Sequence, residues 1–293
     1  MASPTRLHKV HTGGNDLLVH IATQRDEAPS ADAVTAWCDR RTGVGASGFV
    51  SCTPTEEPIR SIERVAWELR RYTADGTERA ADGDELRAAA RILIDEHYVD
   101  LAAAETLPLQ IGSQIHDIQP SGTGGFHLDL GRWRLSRSEP TVAASGIDVP
   151  RPGLELSIAD RRYIVIALAD RSELDRLSLR IPPRIEPEPV DAVTITFAIP
   201  EDPLVRDGVG RLLARAWASD DPDTEVSGGA AAATALAVRH WAGSGAPNHW
   251  RVTGDYGAVQ VRMFATEEGE HLGVAGGCER IFDTAIAAAQ PLS

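Results

Sequence analysis

The chain has 293 residues and a formal net charge of −14, from 43 acidic and 29 basic residues. Such an acidic surface repels phosphate backbones and anionic membranes, which argues against nucleic acid and membrane as partners. A hydrophobic content of 42% with 25% charged residues suits a globular chain, and no apolar run of about 18 residues offers a membrane span.

The first residues, MASPTRLHKVHT, lack the apolar core of a secretory leader, so a cytoplasmic location is expected. Lys9 is the single lysine among the basic residues; with the abundant alanine, aspartate and glycine, this resembles the coding bias of a high-GC bacterium. Cys38, Cys52 and Cys278 are odd in number and show no CxxC spacing, so neither a disulfide framework nor a zinc site is expected. The nine histidines show no HxH or HExxH spacing, and no metal is predicted.

In chain order, residues 5–12 and 17–23 read as strands around the turn Thr12–Asp16. Helical spacing through Val34, Trp37 and Cys38 predicts a helix over 31–41, ended by Gly43-Val44-Gly45 before the strand GFVSC. Residues 64–73 alternate as a strand into the turn Ala74-Asp75-Gly76. An amphipathic helix is predicted over 83–97, with Leu86, Ala89, Ala90, Leu93, Ile94 and His97 on one face. Short β segments follow near 107–118 and 126–135, then strands near 154–158, 162–168 and 192–199, and a helix or strand near 204–217. The proline-rich stretch 181–189 reads as a stiff surface connection. A second helix, 228–242, is apolar nearly all round until Arg239, which predicts burial on every side. Strands near 249–254 and 257–265 complete the pattern.

The two helices open alike. Ala81-Asp82-Gly83 and Val226-Ser227-Gly228-Gly229 lie about half the chain apart, hinting at two similar halves. Small residues at a helix start expose unpaired N–H groups and the positive end of the dipole, a setting that favours an anion.

The surrounding residues resemble the diaminopimelate epimerases. HKVHTGGNDLLVH (8–20) is similar to their opening signature, and DRRTGVGASGF (39–49) to their Asp-Arg…Gly-Val-Gly motif. YTADGTERAADGDELRAAARIL (72–93) resembles the segment leading to their first catalytic cysteine, and DTEVSGGAAAATALAV (223–238) the segment leading to the second. The tail VAGGCERIFD (274–283) resembles their ending, so five motifs stand in the family's order. The resemblance implies an α+β fold of two pseudo-symmetric lobes, each a curled, mostly antiparallel sheet around a central helix. It places one lobe at 1–131, with 274–293 returning to it, and the other at 132–273. The active site would lie in the cleft between them, at both helix N-termini, and no cofactor would be needed.

Several positions depart from the pattern. Asp82 and Ser227 stand where the two cysteines would be, Gly48 replaces a glutamine, Thr73 an asparagine, and Ala218-Ser219 a Glu-Arg pair. IADRRY (158–163) takes the place of the Gly-Asn-Pro-His substrate loop. A two-thiol racemisation of diaminopimelate is therefore not expected.

Asparatate and cysteine differ by roughly 6 kcal/mol in proton affinity, from reference pKa values of about 3.9 and 8.5. Asp82 would serve as a weak base for an acidic C–H, O–H or N–H, and Ser227 as a hydrogen-bond donor to a carbonyl or enolate. His11 joins them as a catalytic candidate, with Asn15, Thr73, Gly83, Gly228 and Gly229 as substrate-binding candidates. Asp82-Gly83-Asp84-Glu85 and Ser227 also fit plain helix capping. The expected function is a cofactor-independent isomerase or cyclase acting on a small metabolite in bacterial specialised metabolism, as a monomer or homodimer. The alternatives are a lyase of the dehydratase type, or an inactive homologue that binds a ligand or a protein. Within the wider fold family, phenazine-pathway isomerases use a carboxylate, and proline-racemase-like dehydratases place a hydroxyl where one cysteine stood.

Overall fold

A computed structural model describes residues 4–22, 29–55, 67–79, 81, 83–101, 105–112, 114–121, 124–159, 161–219 and 225–286. Its contacts divide the chain into two compact units, Met1–Phe126 with Gly277–Ser293, and His127–Gly276.

The first unit begins with β1 (Thr5–Thr12), β2 (Asn15–Ile21), α1 (Ala31–Cys38), β3 (Gly48–Pro54), β4 (Trp67–Thr73) and β5 (Glu78–Arg79). It continues with α2 (Gly83–Asp95), β6 (Leu107–Ile111), β7 (Gln114–Pro120) and the start of β8 (Gly125–Leu135). The second contains β9 (Thr141–Ala143), β10 (Arg151–Ile158), β11 (Arg161–Ala167), α3 (Arg171–Arg176), β12 (Arg184–Glu186) and β13 (Val193–Arg206). β14 (Val209–Ala218), α4 (Gly228–Ala242), β15 (His249–Thr253), β16 (Ala258–Thr266) and β17 (Gly269–Ile286) follow. The second half of β17 returns antiparallel to β1.

The strand pairings repeat. In the first unit β17–β1 and β1–β2 are antiparallel, β2–β3 parallel across α1, β3–β4 antiparallel, β4–β6 parallel across α2, and β6–β7 antiparallel. In the second, β8–β10 and β10–β11 are antiparallel, β11–β13 parallel across α3, β13–β14 antiparallel, β14–β15 parallel across α4, and β15–β16 antiparallel. Each parallel pair needs a crossover, and a helix supplies it each time. One topology is built twice, with α2 and α4 in corresponding places.

α4 lives up to its composition: every residue from Gly228 to Val238 is buried, against β10, β11 and β13–β16. α1 covers a separate core containing Leu7, Leu18, Phe49 and Tyr72, and another core gathers Ile164, Ile166, Leu174, Phe197 and Trp217. Among the described residues, no helix is long and apolar enough to cross a membrane.

Several elements differ from the expected pattern. α1 ends at Cys38, with Asp39 as its extended C-cap. α2 ends at Asp95; His97 lies beyond it at φ 60°, exposed, rather than on a packed helix face. Backbone bonds from His97 to Ile94 and from Tyr98 to Leu93 close the helix there, with His97 in the left-handed position that glycine usually fills. The single apolar face expected of α2 is also too narrow, because Gly83 to Ala90 are buried without a break, Asp84, Glu85 and Arg87 included. Pairing lets those charges be buried. The ambiguous stretch 204–217 is strand, its burial alternating along β14 with period two. Within the proline-rich stretch, Arg184–Glu186 pairs with β9 and buries Ile185, so it is more than a surface connection.

Candidate functional site

In the first unit, the turn before β2 is fastened by Asp16. Its carboxylate accepts from Lys9 Nζ at 2.6 Å and from Arg40 at 2.7 and 2.9 Å, while the Ser47 backbone N–H reaches it at 3.1 Å. Lys9 also donates to the Gly45 carbonyl. Burial opposes ionisation of Asp16, but the bonds from Arg40 and Lys9 outweigh it and hold the carboxyl below its usual range. The Asp-Arg…Gly-Val-Gly segment is thus locked onto the opening signature by one carboxylate.

Asn15 faces the other way. Its Nδ2 donates to Asp84 Oδ2 at 2.8 Å in the first turn of α2. Gly13, at φ 59°, brings the chain so close that a Cβ there would sit 3.0 Å from both Asp84 carboxylate oxygens. Asp84 is paired with Arg87, whose Nε lies 3.3 Å from Thr12 Oγ1, and Thr12 donates in turn to the Gly277 carbonyl at 3.2 Å. Beside them Arg71 Nε stands 2.7 Å from Glu85 Oε1, both side chains buried. Arg87 is 0% exposed, and its Nη1 has no hydrogen-bond partner among the described residues. The opening of α2 therefore carries a buried guanidinium with one nitrogen unpaired.

The remaining predicted residues of this unit have separate fates. Gly83 is the first, buried residue of α2, and Asp82 lies outside the described residues. The Thr73 hydroxyl is taken up by its own turn, 2.5 Å from Asp75 Oδ1 and 3.1 Å from the Thr77 carbonyl. His11 pairs across the hairpin with Asp16, whereas Thr12 pairs with Asn15. Strand alternation puts His11 on the Asp16 face, opposite the face from which Thr12 and Asn15 reach α2.

In the second unit, Ser227, Gly228 and Gly229 come together at the start of α4. Ser227 is the N-cap: its Oγ accepts from Ala230 N at 3.3 Å, and its carbonyl from Ala231 N at 2.9 Å. Ser227, Gly228 and Gly229 are all buried, so this helix end is shielded from water, and the glycines leave the backbone of its first turn uncovered by side chains. Two residues earlier, burial and the neighbouring Asp255 push the Glu225 carboxyl up to about 7, against the opposing pull of Arg215. Sequence reasoning passed over Glu225 because no spacing marks it. The effect comes from burial and from Asp255, a residue of the β15–β16 turn that only folding brings near.

All three thiols are buried, and Cys278 stands beside α2, its Sγ donating to the Arg87 carbonyl at 3.5 Å. Burial pushes Cys38 up to about 11 and Cys278 to about 12, and also raises Cys52. At neutral pH all three are thiols, and thiolate is the reactive form.

One group of possible metal donors exists among the described residues: His8, Glu96 and Asp283. Arg6 and Arg280 already bridge its carboxylates, with Arg6–Glu96 at 2.6 Å and Arg280–Glu96 at 2.5 Å, and Arg280 also pairs with Asp283. Two guanidiniums supply the positive charge that an ion would bring, so this cluster is an ion-pair network in character. Burial lowers the His8 pKa despite its 2.9 Å bond to Asp283.

No family model matches the chain. It is 27% identical over 169 residues to a diaminopimelate epimerase of Synechococcus sp. (strain JA-3-3Ab), spanning 57% of this chain and 56% of that one. It is 25% identical over 277 residues to the diaminopimelate epimerase of Halorhodospira halophila (strain DSM 244 / SL1), spanning 82% and 88%. Among solved structures, a Bacillus anthracis phenazine biosynthesis protein of the PhzF family superposes with a TM-score of 0.65 at 13% identity, over 98% of this chain and 100% of that one. A hydroxyproline epimerase from Agrobacterium vitis, with bound trans-4-OH-L-proline, gives 0.63 at 12% identity over 98% and 93%. The chain thus has the α+β fold of these solved structures, built twice along its length, and is similar in sequence to diaminopimelate epimerases.

Proposed function

We propose that this protein is a cofactor-independent isomerase of a small metabolite, moving protons with oxygen groups at the openings of α2 and α4. Asp82 is the base, and Ser227 donates a hydrogen bond to the carbonyl or enolate oxygen of the substrate. Gly228 and Gly229 let that oxygen approach the positive end of α4, and Arg87 Nη1 supplies a buried positive group at α2. Asn15, through Asp84, holds the first turn of α2 in place. Thr73 and His11 are left out, the first by its turn bonds and the second by the face it occupies.

One observation carries this assignment: all three thiols are buried and held in the neutral form, and Cys278, which stands beside α2, has its S–H on the Arg87 carbonyl. The fold is that of enzymes that invert or migrate C–H bonds, but the groups available here for proton transfer are oxygens. An oxygen acid of low basicity suits a substrate whose C–H is already activated, such as a position beside a ketone or within a diene acid. A ring closure following such a migration is a natural extension on the same groups.

The test is turnover by Asp82→Asn and Ser227→Gly variants, with the substrate found by conversion to a product of unchanged mass. Asp82→Asn is expected to lower the rate by roughly 10²–10⁴, the usual contribution of a positioned acid or base. Ser227→Gly keeps helix capping to within a few tenths of a kcal/mol, so a fall in rate without a fall in stability identifies the hydroxyl as chemical. Unchanged rates in both variants would remove the assignment.

A further inference from the structure

The sheet of the second unit turns one face toward α4, where Trp250, Val252, Val261 and Met263 are buried. Its other face gathers arginine. Arg211 of β14 stands in register with Arg251 of β15, Arg251 with Gln260 of β16, and Arg262, two residues along β16, with His249. Partners in register share a face, and diagonal neighbours lie about 7–8 Å apart, within reach of long side chains. Arg251, Gln260, Arg262 and His249 are exposed, and Arg211 is half-buried. In a chain of net charge −14, these three arginines go without a carboxylate. Among the described residues none of them forms an ion pair, and Arg211 Nε is buried with no hydrogen-bond partner. The flanking carboxylates are committed elsewhere, Asp255 to Arg215, Glu270 to Arg239 and Asp129 to His271. Glu201 and Asp202, in the bulge of β13 across from Arg211, form no ion pair with it. Like charges directly opposite one another weaken a sheet, so the Arg211–Arg251 pair is a cost that a bound anion would remove. Arg262 is steadied by the Phe264 ring, whose centroid lies 5.7 Å from its guanidinium carbon.

We propose that this outward face binds a phosphate group carried by a small molecule, held by Arg211, Arg251 and Arg262 with His249 and Gln260 as further polar contacts. Three guanidinium forks call for more acceptor sites than the two oxygens of a single carboxylate. A tetrahedral phosphate supplies them, with oxygens directed to several sides. The patch is also short. Asp255 stands in the turn before β16, and the exposed Glu267 and Glu268 stand in the turn after it. A nucleic acid strand or an anionic membrane would run from the arginines onto those carboxylates, whereas one or two phosphate groups fit between them. The site is separate from the proposed chemistry, since α4 packs on the opposite face of the sheet.

Calorimetric titration of the whole chain at low salt with phenyl phosphate, pyrophosphate, inorganic phosphate and the trivalent carboxylate tricarballylate tests this directly. Phenyl phosphate and pyrophosphate are expected to bind at least as tightly as inorganic phosphate, and about tenfold more tightly than tricarballylate, with affinity falling as salt is raised. Arg251→Gln and Arg262→Gln should each weaken phosphate binding roughly tenfold, the lower end for a charged hydrogen bond. Arg184→Gln, at an exposed arginine of β12 paired with Glu186, should leave binding unchanged. Without ligand, Arg251→Gln should also raise the urea midpoint, because it removes the like charge facing Arg211. Absence of phosphate binding, inorganic phosphate as the sole phosphate bound, or tricarballylate bound as tightly would overturn the proposal. So would an equal loss in Arg184→Gln, or a lowered midpoint in Arg251→Gln, which would assign the arginines to the fold instead. None of these readouts involves turnover, so they stand or fall apart from the isomerase assignment.

Discussion

Arg87 shows how much of this protein's chemistry is decided by single buried charges. It is fully enclosed, paired with Asp84, and linked through Thr12 to the chain at Gly277. Removing the guanidinium leaves a buried carboxylate uncompensated, which costs about 3–5 kcal/mol. Arg87→Leu should therefore show a large drop in urea midpoint, partly restored by adding Asp84→Asn. A small drop in the single variant would mean that Asp84 ionises with other partners. In the sequence, Asp84 and Arg87 look like an ordinary i,i+3 pair on a solvated helix face. Their burial was not legible, because periodicity reports apolar residues and is blind to charges that enter the core in pairs. Asp16 lies within the opening signature, and the structure makes it the fastening of that motif.

At the level of elements, the end of α2 carries a local compromise. His97 sits at φ 60°, a conformation that costs a side-chain-bearing residue roughly 1–2 kcal/mol and glycine almost nothing. His97→Gly should raise stability by about 0.5–1 kcal/mol once the added flexibility of the unfolded chain is subtracted, measurable as a higher melting temperature. No gain would mean that the imidazole makes contacts that offset its strain. The long, strongly patterned elements were legible in advance: the helix starting points at Gly83 and Gly228, and most strands of five residues or more. The misses have physical causes. α3 has six residues, mostly charged, so its signal is the Asp170 cap on Glu173 rather than any periodicity. β12 is three residues between prolines, and its identity comes from pairing with β9, which sequence spacing does not contain. β17 runs for 18 residues because two different partners, β16 and then β1, support successive parts of it.

For the whole molecule, pH links stability to the same charges. Asp283 is held well below its usual range by bonds from Arg280 and His8, so its stabilisation is present at neutral pH and is lost as pH falls below about 4. His8, lowered by burial, acts in the same direction but earlier, since the unfolded chain takes up its proton first as pH falls below about 6.5. Glu225 has the opposite sign: its raised pKa favours the native state at low pH, a benefit that fades as pH climbs toward 7. Denaturation of the wild type and Asp283→Asn at pH 7 and pH 3 should show a clear gap at the first and a smaller one at the second, since the loss has begun but is complete only below the folded pKa; an equal gap at both would assign Asp283 a role other than charge. The fold-level expectation, an α+β scaffold of repeated topology, came from five weak motifs in the right order, none sufficient alone. The most direct measurement is a metabolite extract incubated in D₂O with the wild type, with an Asp82→Asn/Ser227→Gly double variant, and with a Cys38→Ala/Cys52→Ala/Cys278→Ala variant, followed by mass spectrometry. Oxygen-based isomerisation predicts deuterium entering a same-formula product with the wild type and the cysteine-free chain, and none with the double variant. Conversion that survives in the double variant, or that stops when the cysteines are removed from a still-folded protein, would contradict it.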